Sequence, residues 1–153
     1  MGNMIADRAA GASMKLSNGS TDVFLSVLLL AGSDLAETAW QVELMVWLAA
    51  HDQALRGGGT VGFDLADIPW DPDDFTAQRD FLLRTVDLAA TGHRWEALGY
   101  DAPFARGHLD EFRALVAGME PVAALEHAKC PVHDVYVHDH GCLLCHSGQI
   151  LDL

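Results

Sequence analysis

All three cysteines and five of the eight histidines of this 153-residue chain fall between positions 127 and 146. Cys130 and His133 are separated by two residues, Cys142 and Cys145 likewise, and eight residues lie between the pairs. Two donors at that spacing reach one ion from a tight turn, and two such turns facing each other supply the corners of a tetrahedron. Three thiolates and one imidazole suit Zn²⁺. The spacing therefore predicts a structural Zn²⁺ held by Cys130, His133, Cys142 and Cys145. His127, His138, His140 and His146 lie close enough in sequence to replace or add to these ligands. The triplet His138-Asp139-His140 is the candidate for a second, weaker metal.

Pro131, Gly141 and Gly148 are turn-formers that let backbone amides point at thiolate sulfur, and Val135-Tyr136-Val137 has strand propensity. In these residues the segment resembles zinc-ribbon and zinc-knuckle modules, and the Cys-x2-His…Cys-x2-Cys order also resembles the first half of a B-box. The resemblance is confined to the C-terminal segment, and no second half with further paired ligands follows. It implies a zinc-bound β-hairpin or knuckle. A catalytic zinc has three protein ligands and an open position for water, whereas four good donors are available here, so the structural role is expected.

Charge narrows the function classes. With 22 acidic and 9 basic side chains the formal net charge is −13. Such a field repels polyanions and anionic lipid, which disfavours nucleic acid as a ligand and favours a basic protein partner or simple solubility. Nothing near the N-terminus has the basic-then-apolar order of a secretory signal, so the thiols are expected to be reduced and metal-bound in a cytoplasm. The apolar run 23–31 falls far short of the roughly 20 residues that span a bilayer, and no membrane segment is expected.

Half of the residues are apolar, enough for a globular core. Residues 1–19 mix glycine, serine and asparagine with alanine and read as a flexible tail. Ser20-Thr21-Asp22 supplies capping groups before the buried run 23–31, read as a short helix. A longer helix is expected from Asp34 and Glu37 to Arg56, ending at Gly57-Gly58-Gly59, with Trp40, Leu44, Trp47, Leu48 and Leu55 at helical spacing. Residues 60–70 read as an irregular connection laid on a groove by Phe63, Leu65, Ile68 and Trp70. Asp71-Pro72-Asp73-Asp74 opens a helix reaching about Ala90. A short turn around Trp95 and Leu98 follows, then an amphipathic helix over 105–117 and a last helical turn from Pro121.

Elsewhere the chemical signals are weak. The glycine-rich run 57–62 lacks the Lys-Ser/Thr that holds nucleotide phosphates. His51-Asp52, His93 and His108 have no identifiable nucleophile, and Asp64, Asp67, Asp71, Asp73 and Asp74 serve either as helix caps or as an acidic interaction loop anchored by Phe63 and Trp70. The chain thus reads as mainly α: tail 1–19, compact helical domain 20–126 and zinc module 127–153. The function expected is that of a non-catalytic cytoplasmic protein acting through protein–protein interaction, for example an acidic adaptor or immunity-type protein. The alternatives are a metalloenzyme using the histidine-rich segment and a nucleic-acid-binding zinc module, the latter opposed by the charge.

Overall fold

The computed structural model describes residues 3–51, 62–122, 129–136 and 142–145. The chain divides into two compact units, Met1–Val122 and Ala123–Leu153. The larger unit is mainly helical and is built around one apolar helix, α1 (Asn18–Leu35). Phe24, Val27, Leu28 and Ala31 are fully buried, while Asn18, Asp22, Ser26 and Ser33 recur at helical spacing on its less buried side. Around it pack α2 (Ala39–Ala49), α3 (Phe75–Ala90) and α4 (Ala105–Ala117). The Phe24 ring of α1 meets that of Phe112 of α4 edge to face, with centroids 5.1 Å apart.

The expected flexible tail is instead a β-hairpin. Strands β1 (Asn3–Asp7) and β2 (Ala12–Leu16) pair antiparallel across a turn in which Gly11 takes φ 68°. A third short strand, β3 (Gly62–Asp64), pairs parallel with β1, giving the order β2-β1-β3. Ile5 stands between Met14 and Phe63 in this sheet, and all three are buried, so one face of the sheet closes the helical core. Asn3 is buried as well, and its Nδ2 donates to Thr21 Oγ1 at 2.8 Å, tying β1 to α1. Ala12-Ser-Met14-Lys-Leu16 does alternate apolar and polar, but five residues are too few to stand out against the surrounding glycines and serines.

Helix boundaries shift for local reasons. Ser17 rather than Ser20 caps α1, its hydroxyl accepting from the Ser20 N–H, and the helix continues through Asp34 to Leu35. Asp34 therefore starts no helix. It accepts from Arg94 Nη1 at 3.1 Å and pairs with His93 Nε2 at 2.7 Å, and these contacts, the His93 bond first, hold its carboxyl below its ordinary pKa of 3.8. The true capping box is Thr38 with Gln41, so α2 begins at Ala39 and α1, not α2, is the longest helix described. Residues 52–61, including Leu55 and the three glycines, lie outside the described residues.

The connection before α3 is more ordered than its composition implies. After β3, a 3₁₀ turn spans Leu65–Asp67, and Phe63, Leu65 and Ile68 are all buried. Asp71 caps the 3₁₀ turn Pro72–Asp74 that leads into α3, which ends at Ala90 as expected and buries Phe75, Leu82, Val86 and Ala89. The Trp95–Leu98 turn and α4 also lie where the sequence places them, with Leu109, Phe112, Leu115 and Val116 buried. No helix among the described residues is long and apolar enough to cross a membrane.

The sheet contains a sharp test. A Cβ built on Gly62 would lie 2.3 Å from the Met4 carbonyl oxygen, a backbone atom that cannot swing aside. Gly62→Ala should force β3 away from β1 and lower unfolding free energy by about 1–3 kcal/mol. Urea denaturation checks this; an unchanged midpoint would mean that the parallel pairing adds nothing to stability.

Candidate metal centre

In the C-terminal unit the sequence builds a tight turn. Pro131, Val132 and His133 form it, and Asp134 closes it in the left-handed region at φ 52°, a conformation that aspartate tolerates better than most residues. The Cys130 N–H donates to the Val135 carbonyl and the Asp134 N–H to the Cys130 carbonyl, both at 2.8 Å. Lys129 and Tyr136 flank the turn as an isolated antiparallel bridge, with the Lys129 ammonium 5.0 Å from the Tyr136 ring centroid. Among the described residues this bridge is all the β structure of the unit; the expected full hairpin is not present there, and Val137 lies outside them. The second ligand pair brackets Leu143 and Leu144, which with Cys145 are helical.

The two turns converge. One ligand atom each from Cys130, His133, Cys142 and Cys145 lies within 4.8 Å of all the others. The His133 Nδ1 is 3.6 Å from Cys130 Sγ, 3.6 Å from Cys142 Sγ and 3.3 Å from Cys145 Sγ, and the Cys130 and Cys145 sulfurs are 3.7 Å apart. Tetrahedral Zn²⁺ with Zn–S near 2.3 Å and Zn–N near 2.05 Å requires about 3.8 Å between two sulfurs and about 3.6 Å between sulfur and nitrogen. The separations are those of corners around one zinc ion, and the sulfur distance is far beyond the ~2.05 Å of a disulfide. Nδ1 is the imidazole atom that faces the thiols, which would leave Nε2 to carry the ring proton.

Electrostatics within the cluster call for a cation. The backbone N–H groups of His133 and Val132, together with the His133 ring, stabilise the Cys130 thiolate and lower its pKa to about 6. Cys145 is pushed the other way, to about 11, first by its contact with Cys130, then by burial and by Cys142. One thiolate forms readily and the next is resisted because it would sit against the first; a dication at the centre removes that penalty and would hold all three sulfurs ionised. The donor set thus fits a structural Zn²⁺, with Cys130, His133, Cys142 and Cys145 as the residues that would hold it. Among the described residues no carboxylate belongs to the cluster.

The remaining sequence candidates do not assemble into a second centre among the described residues. His127, His138, His140 and His146 lie outside them. His51 is packed against Trp47 and Phe63, with Nδ1 2.8 Å from the Trp47 carbonyl oxygen, and His108 is half-buried on α4. The acidic stretch is largely occupied by its own backbone: Asp64 accepts from the N–H groups of Ala66 and Arg8, Asp67 from that of Asp64, and Asp71 from that of Asp73. Trp70 is half-buried, stacked on Trp40 and edge-on to Phe75, and its Nε1 donates to the Leu65 carbonyl. These residues brace the loop, and Phe63 is not available as an exposed anchor. Sequence reasoning passed over the left-handed Asp134 and the apolar residues between the ligands, Val132, Leu143 and Leu144, which are 76%, 74% and 44% exposed. Compared with protein-family models, with curated proteins and with solved structures, the chain matches none.

Proposed function

We propose that this is a non-catalytic protein that works by binding another protein, with one Zn²⁺ holding the C-terminal module as a rigid accessory surface. The observation that carries the proposal is the closed donor set: four ligand atoms within 4.8 Å of one another would fill the corners around one ion and leave none for a reacting water. The exposed Val132, Leu143 and Tyr136 support it, because they spend apolar surface outward on a unit too small to be careless with it. In this reading the Lys129–Tyr136 bridge is the base of a short zinc-bound hairpin, and its Cys130–His133 turn is the knuckle. The net charge of −13 favours a basic partner over nucleic acid, and thiols kept reduced to bind metal accord with a cytoplasmic protein of the acidic adaptor or immunity type.

Cobalt substitution tests closure directly. The Co²⁺ form is expected to give a tetrahedral thiolate spectrum that added azide leaves unchanged. A spectrum that azide shifts would reveal an open coordination position and favour a metalloenzyme instead.

A further inference from the structure

Helix α2 carries apolar residues on every side, a pattern that normally belongs to a buried helix. Its inner side is accounted for by the buried Leu44, Met45 and Leu48, and its flank by Trp40, stacked on Trp70, and Trp47, edge-on to Phe63. On the outer side, Val42 and Val46, one turn apart, are 51% and 65% exposed. Together with Leu29, Ser33, Ala36, Met45 and Ala49 they line an open, mostly apolar groove of about 300 Å³ between α1 and α2. The two helices approach closely here because Gly32 has no side chain: a Cβ on it would meet Met45 Sδ at 2.3 Å.

Charge identifies what fits this groove. Between Lys15 and Arg56 the sequence contains no lysine or arginine, so α1 and α2 carry no basic residue of their own. Glu43, three residues before Val46 on α2, and Glu37, next to Ala36 in the chain, are both exposed. Asp34 is left out of this count because Arg94 and His93 already pair with it. The floor is apolar, the rim negative, and the two turns of α2 from Val42 to Ala49 span about 10 Å, the reach of an i, i+4, i+7 stripe on a docked helix. A second copy of the chain would bring a like-charged rim and a net charge of −13 against the same rim and charge. We propose that the α1–α2 groove takes a basic amphipathic helix of a partner protein, its apolar stripe against Val42 and Val46 and its lysines or arginines toward Glu37 and Glu43. This rests on the interaction-protein reading above and gives it a surface and a partner chemistry.

The probe is a fluorescein-labelled 18-residue peptide with leucines at i, i+3, i+4 and i+7 and lysines elsewhere, titrated into the full chain at physiological salt. A scrambled peptide of the same composition is the control. The amphipathic peptide should bind at least about tenfold more tightly than the scrambled one, and Val46→Asp should weaken it by about tenfold or more even though the variant is more acidic. Glu43→Gln should weaken it a few-fold and flatten its salt dependence. Attraction by charge alone predicts the reverse for Val46→Asp, and equal or tighter binding by that variant overturns the proposal, as does no binding of the peptide at all. A wild-type dimer in sedimentation that Val46→Asp dissociates would assign the groove to a second copy and overturn it too. Peptide binding untouched by Val46→Asp, with amide shifts at Val132 and Leu143, would discard the groove but leave the interaction-protein reading in place. A cobalt site open to azide would instead remove that reading while the groove measurements stood.

Discussion

Replacing Cys142 or Cys145 with serine is expected to weaken zinc binding by about a hundredfold to a thousandfold. Serine keeps the size of the side chain but its hydroxyl does not ionise near neutral pH, so one corner of the tetrahedron is left to water. Structural zinc sites bind with about 10–16 kcal/mol, and an equal share for one of four ligands is roughly 2.5–4 kcal/mol, about a hundredfold to a thousandfold in affinity. The loss should be the same in kind for either cysteine, since both sulfurs stand at corner distance from His133 Nδ1. Competition with a chromophoric chelator measures it. The helical signal of the larger unit should persist in these variants, because its core is formed within residues 3–122 from residues such as Phe24, Leu48, Phe81 and Phe112. Wild-type affinity in either serine variant would remove that cysteine from the ligand set.

The second large effect belongs to the helical core. Phe24 and Phe112 are both fully buried and join α1 to α4 ring to ring. Phe112→Ala removes that contact and leaves a ring-sized cavity between two long helices that cannot fully collapse, at a cost of about 3–5 kcal/mol. That is a fifth or more of the ~5–15 kcal/mol that holds an ordinary domain folded. Urea unfolding followed by circular dichroism should show the midpoint falling sharply. Phe24→Ala should cost a similar amount and the double variant less than the sum, since both remove the same pair. Additive losses would mean that the two rings contribute independently.

What could be read from the sequence divides along physical lines. Helices α3 and α4 were legible because Asp71-Pro72 and Gly118 punctuate them and their apolar positions recur at helical spacing over several turns. The hairpin of β1 and β2 was not, because each strand is only five residues long and β1 gains its second partner from β3, far away in the chain. The start of α2 was misplaced because Asp34 and Glu37 imitate a capping box, while Thr38 and Gln41 form the real one and Asp34 is drawn to Arg94. Residues 60–70 looked irregular because Gly62 and the aspartates mask a strand and a capped 3₁₀ turn that exist only against β1 and their own backbone. The metal centre was legible for the opposite reason: Cys130, His133, Cys142 and Cys145 are fixed by local turns, so their spacing alone carries the geometry that brings them within 4.8 Å of one another. The apolar groove between α1 and α2 was not visible in a helical wheel, since Val42 and Val46 look no different in sequence from the buried Leu44 and Leu48.

The central claim is that one zinc ion organises the C-terminal unit through these four donors, and native mass spectrometry of the chain purified in reducing buffer tests it most directly. The account predicts a single species heavier than the polypeptide by one zinc ion less the protons that its thiols release, converted by chelator to the metal-free mass. Wild-type chain that emerges metal-free from zinc-replete expression, or that keeps its zinc when Cys142 and Cys145 are both replaced by serine, would contradict it.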